Sequence, residues 1–339
     1  MMNLLRVALL LAGLSLTAAA QCAPAGGAPP RRGVALGLYH ADTAHSYAED
    51  LHEIRSLGAN AVALCLALMQ ENLHAEEVRA VEGRTATDAQ LAEAIREARA
   101  CGLEVLVLPI VLLERAAPRE WRGRIHPPDI DAWFMSYRRR LLHIARLAER
   151  EGAQGLSVGS ELSTLEAQTE HWRQTIGAVR GEFSGWLTYS VNWDHLETIE
   201  FWDELDVVGV SSYFELARES TAPQASLEAA WRRHRDDLLA WRSRRVPGMP
   251  LVLTEVGYPS QASAPVHPWS YNRGAPLDLE AQARCYEALI AAWDGVTALN
   301  GLYFYEWAGD GGGPEDRSYT PQGKPAEALI RLWYAGEAN

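Results

Sequence analysis

Apolar residues along this chain fall into short unbroken runs, separated by longer stretches in which they recur at helical spacing. The runs are Gly33–Tyr39, Asn60–Leu66, Leu103–Pro109, Gln154–Val158, Gly185–Val191, Asp206–Tyr213, Pro250–Glu255 and Gly301–Trp307. Runs of this length, rich in Val, Leu and aromatics, predict strands covered on both faces, as in a parallel sheet. Between them, amphipathic patterns predict helices near Tyr47–Leu57, Asp88–Cys101, Asp131–Glu151, Leu165–Glu182, Leu196–Leu205, Leu227–Arg244 and Leu279–Asp294, with a last one at Ala326–Tyr334. Thr87 with Gln90 makes a capping box at the second helix, and Gly58 and Gly102 stand where helix-closing glycines belong. Strand–helix alternation repeated eight times predicts a single-domain (β/α)8 barrel, with an open doubly wound sheet as the rival. No Gly-rich phosphate loop follows the first strand, where Tyr39-His40-Ala41-Asp42 stands instead, and this removes nucleotide binding.

The first residues lie outside this rhythm. Met1 to Arg6 ends on a positive charge, Val7 to Leu16 is apolar, and Thr17-Ala18-Ala19-Ala20 is small: the layout of a secretory signal peptide, cleaved after Ala20. Residues 21–32, rich in Pro, Gly and Ala, predict a tether, and residues 33–339 the folded domain. A secreted or periplasmic location follows. Lipid anchoring through Cys22 ranks second, because Gln21 occupies a place where a small residue is expected. No later stretch is long and apolar enough to span a membrane. Cys65, Cys101 and Cys285 have neither metal-ligand spacing nor the density of a disulfide framework, and predict small buried side chains.

Composition narrows the function classes. The 339 residues are 48% hydrophobic, enough for a full core, and carry a net charge of −13, which argues against a nucleic-acid partner. Lys324 is the only lysine, so lysine-based chemistry is excluded unless that residue performs it. The 12 Trp suit flat ligands such as sugar rings, although most are expected in the core. A monomer is expected.

In a barrel of this kind the chemistry sits at the C-terminal ends of the strands. Two carboxylates fall there: Glu161 after Leu156-Ser157-Val158-Gly159-Ser160, and Glu255 after Leu251-Val252-Leu253-Thr254. A single such Glu is as easily a helix cap or an arginine partner as a catalytic group. Two of them, on the fourth and seventh strands of one barrel, can flank a bond held between them. Two flanking carboxyls are the machinery of glycoside hydrolysis, about 5–5.5 Å apart for retention and ~6.5–9.5 Å for inversion.

The chain resembles the clan A glycosidases, which carry the acid/base on strand 4 and the nucleophile on strand 7, and within them glycoside hydrolase family 113, the β-mannanases. The resemblance runs through the folded part: Ser56-Leu57-Gly58-Ala59-Asn60, Trp121-Arg122-Gly123, Trp133-Phe134-Met135-Ser136-Tyr137 and Val158-Gly159-Ser160-Glu161-Leu162. It continues in Leu187-Thr188-Tyr189-Ser190-Val191-Asn192, Phe201-Trp202-Asp203, Thr254-Glu255-Val256-Gly257-Tyr258 and Tyr319-Thr320-Pro321-Gln322-Gly323-Lys324-Pro325-Ala326. It implies Glu161 as general acid/base, raised in pKa relative to Glu255, Glu255 as nucleophile, a polysaccharide or oligosaccharide substrate, and no cofactor. Around the pair, Tyr213 would bond the nucleophile and Trp307 would form a platform under the sugar at the cleavage point. Trp193, and Trp269 in the long loop Ser260 to Leu277 with its Tyr271, would meet neighbouring sugars. Asn192 would bind a hydroxyl or close a turn, and Arg122 would bind sugar or pair with a loop carboxylate. Glu306, alternating away from Trp307, reads as structural and paired with an arginine.

Two positions depart from the clan pattern. Ser160 stands where many members carry an Asn that contacts the sugar 2-hydroxyl, and the third strand ends in the apolar Leu106-Val107-Leu108-Pro109-Ile110-Val111. These departures motivate an alternative of another class: a catalytically inactive barrel that binds glycan or a partner protein.

Overall fold

A computed structural model describes residues 30–270, 274–307 and 311–336. The apolar runs form β1 (Arg31–Gly37), β2 (Ala61–Gln70), β3 (Glu104–Leu113), β4 (Gly155–Ser160), β5 (Trp186–Asn192), β6 (Val207–Ser211), β7 (Leu251–Val256) and β8 (Gly301–Trp307). Each pairs in parallel with the next, and β1 pairs with both β2 and β8, so the sheet closes on itself. Helices α1 (Ala48–Ser56), α2 (Asp88–Ala100), α3 (Ile130–Glu151), α4 (Thr169–Arg180), α5 (Gln224–Arg245), α6 (Leu279–Trp293) and α7 (Pro325–Ala335) pack outside it. This is the (β/α)8 barrel. Among the described residues, no helix is long and apolar enough to cross a membrane.

Several boundaries differ from expectation for identifiable reasons. β2 and β3 run four residues further than the sequence suggests, because their pairing stays in register to Gln70 and Leu113. The stretch expected as a helix at Leu196–Leu205 holds two 3-10 turns, Leu196–Thr198 and Trp202–Glu204. Ile199 and Phe201, two apart, are both fully buried between those turns, a spacing that one face of a helix cannot supply. β1 begins at Arg31, inside the expected tether, since the Arg31 N–H donates to Asn300 O at 3.0 Å. The expected signal peptide, Cys22 and the expected tether up to residue 29 lie outside the described residues.

The barrel interior is lopsided. Ala35, Ala61, Ala63 and Cys65 line one side, while Leu106, Leu108, Ile110, Val252 and Tyr303 fill the space from the others. Gly33 admits the Tyr303 ring, since a Cβ at that position would lie 2.3 Å from it. Cys65, Cys101 and Cys285 are all free; Cys65 and Cys285 are buried as expected, whereas Cys101 is half-exposed.

The capping box at α2 forms in both directions: the Gln90 N–H donates to Thr87 Oγ1 at 3.2 Å and the Thr87 N–H to Gln90 Oε1 at 3.0 Å. Thr87→Ala removes the hydroxyl half of this exchange. Denaturant titration should show a loss of about 1 kcal/mol.

Candidate active site

Regular alternation breaks at the C-terminal ends of four strand pairs. Register shifts fall between Ser157 and Ser160 (β4–β5), Val210 and Ser211 (β6–β7), Leu253 and Val256 (β7–β8), and Val34 and Leu36 (β1–β8). Such bulges re-aim side chains, and here they aim them at the barrel mouth. Ser211 comes to lie opposite Glu255, and Ser160 opposite Ser190. Glu161, the first residue past β4, takes a φ of +51°, a left-handed conformation that costs a non-glycine residue about 1 kcal/mol or more.

The two carboxylates are nearly sealed, Glu161 at 6% and Glu255 at 1% exposure. Arg122, from a 3-10 turn after β3, places Nη2 2.7 Å from Glu161 Oε2. Ser211 Oγ donates to the other oxygen, Glu161 Oε1. Among the described residues no cation contacts Glu255: Tyr213 OH donates to Oε2 at 3.2 Å and Ser160 Oγ to Oε1 at 3.3 Å. Burial and then the repulsion of Glu161 push the Glu255 carboxyl up to about 8, against the pull of Arg122, Tyr213 and Ser160. Burial disfavours the Arg122 charge, but Glu161 and Glu255 more than offset this and hold the guanidinium protonated. Where the acid/base was expected to be the raised member of the pair, burial raises Glu255, and the cation stands on Glu161.

Aromatic rings wall the mouth on the β6–β8 side. Tyr213, Tyr305 and Tyr319 meet edge to face in a triangle, with centroids 5.7 to 6.3 Å apart. The Tyr319 OH donates to Pro268 O at 2.8 Å, which ties the long loop after β7 to this triangle. Trp269, the next residue of the loop, is 44% exposed. Lys324, the sole lysine, is a buried staple behind the wall, with Nζ 2.6 Å from both Asp316 Oδ1 and Ser260 Oγ. Half-buried Trp193 packs against Phe214 at 5.2 Å, and Asn192 Oδ1 accepts the Trp193 N–H at 3.1 Å in the turn-closing role. Tyr271 lies outside the described residues.

Trp307 is not brought to the mouth. Its side chain is 2% exposed and packs in the layer between barrel and helices, with Nε1 donating to Glu53 of α1 at 3.2 Å. The physical reason is the β1–β8 bulge, where Val34 pairs with Phe304 but Leu36 with Trp307. That extra residue in β8 turns Trp307 outward and leaves Tyr305 at the mouth. Glu306 moves with it: its Oε2 sits 2.9 Å from where a Gly37 Cβ would be and is buried, with no hydrogen-bond partner among the described residues. Burial pushes this carboxyl up to about 7 against the pull of a Tyr305 hydrogen bond, and a tyrosine stands where an arginine was expected. Ser211, Tyr305 and Tyr319 escaped sequence reading; only the polar end of the sixth run hinted at the first of them.

The raised Glu255 carboxyl has a stability consequence. The folded chain keeps this proton up to about pH 8, whereas an unfolded carboxyl releases it around its ordinary value of 4.5. Folding stability therefore falls as pH rises through that window, by up to about 1.4 kcal/mol per pH unit. Glu255→Gln, which cannot ionise, should be more stable than the native protein at pH 8, by about 2–4 kcal/mol, with the gap closing towards pH 5. Thermal unfolding across that range checks it, and a gap independent of pH would contradict it.

The sequence profile of Glycoside Hydrolase Family 113 matches residues 35–324. No curated protein matches the chain. Among solved structures, the GH113 β-mannanase AaManA from Alicyclobacillus acidocaldarius, in complex with ManMIm, is 28% identical with a TM-score of 0.81, over 92% of this chain and 99% of that one. A GH113 β-1,4-mannanase solved as a complex is 23% identical with a TM-score of 0.80, over 91% and 99% of the two chains. The Ruminococcus gnavus β-glucuronidase shares the barrel at a TM-score of 0.62 and 12% identity, over 90% of this chain and 50% of that one. With the profile running from β1 to the residue before α7, and two buried carboxylates at the ends of β4 and β7, the chain belongs to glycoside hydrolase family 113.

Proposed function

We propose that the protein is a retaining glycoside hydrolase that cleaves a β-linked, mannan-like polysaccharide, with Glu255 as nucleophile and Glu161 as acid/base. The observation that carries this reading is the pairing of Glu161 and Glu255 across one mouth, each held by hydroxyl donors from other parts of the barrel rim. The likeness to AaManA, named as a β-mannanase, supports the substrate class. The leader-like start of the sequence supports export to the periplasm or outside the cell, and a single barrel supports action as a monomer.

In the first step Glu255 attacks the anomeric carbon while Glu161 gives its proton to the departing oxygen; in the second Glu161 takes a proton from water, which releases the sugar from Glu255. The raised carboxyl of the pair is Glu255. Sugar hydroxyls in the mouth donate to Glu255 and favour its ionised form. The proton that Glu255 gives up passes to Glu161, on the side of the glycosidic oxygen that finally receives it. Tyr213 and Ser160 keep Glu255 aimed, Arg122 and Ser211 keep Glu161 aimed, and Tyr305 takes the wall position first expected of Trp307.

Incubation with mannan, glucomannan, cellulose, xylan and chitosan should release products from the mannan-type chains, and proton NMR of the first products should show the β-anomer. Glu255→Gln should reduce turnover by three orders of magnitude or more while remaining folded (a rough figure for loss of a nucleophile). Products of inverted configuration would overturn the assignment of roles. A folded protein with no product on any glycan would favour the barrel that binds without cleaving.

Trp269 supports binding of sugars beyond the cleavage point, because the Pro268 carbonyl bonded to Tyr319 holds it beside the wall that reaches Glu255. Trp269→Ala should raise KM for long oligosaccharides several-fold, roughly the worth of one stacking surface, and leave short ones nearly unchanged. An equal loss at every length together with a lowered Tm would mark it as structural.

A further inference from the structure

Glu166 is fully buried and takes no part in the chemistry above, yet it is surrounded by donors. It follows the 3-10 turn Ser163–Leu165 that β4 feeds into. All three donors come from β5 and the loop after it. Tyr189 OH donates to Oε1 at 3.0 Å, Thr198 Oγ1 to Oε2 at 2.9 Å, and His195 Nδ1 lies 3.1 Å from Oε2. Burial pushes the Glu166 carboxyl above the usual range, and the Thr198, His195 and Tyr189 contacts pull it back.

The Tyr189 phenol also accepts the Leu162 N–H at 3.0 Å. A backbone N–H can only donate, so the phenol must spend its own proton elsewhere, and Glu166 is the acceptor it meets. Leu162 is the residue after Glu161, whose backbone holds the left-handed φ of +51°. The other side of that residue is held from the same strand, where Ser190 O accepts the Glu161 N–H at 2.9 Å. Adjacent residues of β5 therefore grip the peptides on both sides of Glu161. Only the Tyr189 grip is made by a side chain, and only that one depends on a further group.

The packing commits Tyr189 to this task. Its ring is fully buried, edge-on to Trp172 at 5.2 Å and Phe201 at 5.6 Å. It passes beneath Gly159, where a Cβ would lie 2.7 Å from the ring.

We propose that Glu166 and Tyr189 are positioning residues, which through the Leu162 N–H hold the Glu161 backbone in its left-handed conformation and so keep the Glu161 carboxyl aimed at the leaving oxygen. This rests on the reading of Glu161 as the acid/base.

The test compares two leaving groups by kcat/KM, which reports the steps up to the first bond cleavage. Mannotetraose departs as a sugar hydroxyl and needs the acid, whereas a dinitrophenyl β-mannobioside departs without a proton. Tyr189→Phe should lower kcat/KM on mannotetraose by roughly tenfold to a hundredfold, part of what a general acid contributes, and leave the dinitrophenyl substrate within about threefold. Glu166→Gln, which keeps the volume, should show the same split to a smaller degree, and it carries the test if Tyr189→Phe fails to fold. Glu161→Ala is the reference and should show the largest split. Equal losses on both substrates, or no loss, in Tyr189→Phe and Glu166→Gln overturn the positioning role while leaving Glu161 as the acid. Absence of the split in Glu161→Ala overturns the reading of Glu161, and the positioning role with it.

Discussion

Two nearly sealed carboxylates share one barrel mouth, with a single guanidinium in contact among the described residues, and much of the local structure is a response to that. Like charges at short range in a low-dielectric site repel strongly, and each loses its hydration. The structure answers with Arg122 on Glu161 and with hydroxyls from Ser211, Ser160 and Tyr213. It stops short of full neutralisation, and the raised Glu255 carboxyl is the residue of that imbalance. An active site that held both carboxylates comfortably would have less reason to exchange a proton with its substrate.

The strand ends make this arrangement possible. A regular parallel barrel points alternate side chains inward in fixed layers, which would place Ser211, Glu255 and Trp307 by simple count. Register shifts in four strand pairs, all near the C-terminal rim, break that count where the chemistry lies. The opposite rim keeps regular pairing, and small side chains from β1 and β2 face large ones from β3, β7 and β8 across the barrel interior. A packed interior closed by ordinary layers thus carries a rim whose geometry is individually adjusted.

Behind the two carboxylates lies a second tier of buried polar contacts. Lys324 ties Ser260 to Asp316, Tyr319 anchors the loop bearing Trp269, and Glu166 gathers Tyr189, His195 and Thr198. Each joins the loop of one strand to a neighbouring loop or strand, so the mouth is cross-braced rather than built from independent loops. Fully satisfied buried networks of this kind favour one arrangement, because any alternative leaves a donor or acceptor unpaired. Glu306 stands apart, with one buried carboxylate oxygen that no described residue pairs.

The order of apolar runs and amphipathic stretches was enough to specify the barrel, because burial on both faces of a strand and on one face of a helix writes a local pattern. The same logic marked Glu161 and Glu255, each a carboxylate at the C-terminal end of a buried strand run, and the α2 capping box, whose partners lie three residues apart. Tertiary structure decided the rest. The direction of Trp307 and Glu306 depends on one extra residue in the pairing of β8 with β1, a property of two strands far apart in sequence. Ser211 reaches Glu161 from the end of β6 and Arg122 from a turn after β3, and no spacing along the chain records which carboxylate receives the cation. Local patterns encode where a side chain is hidden from water; charge balance and strand register are settled only when distant segments meet.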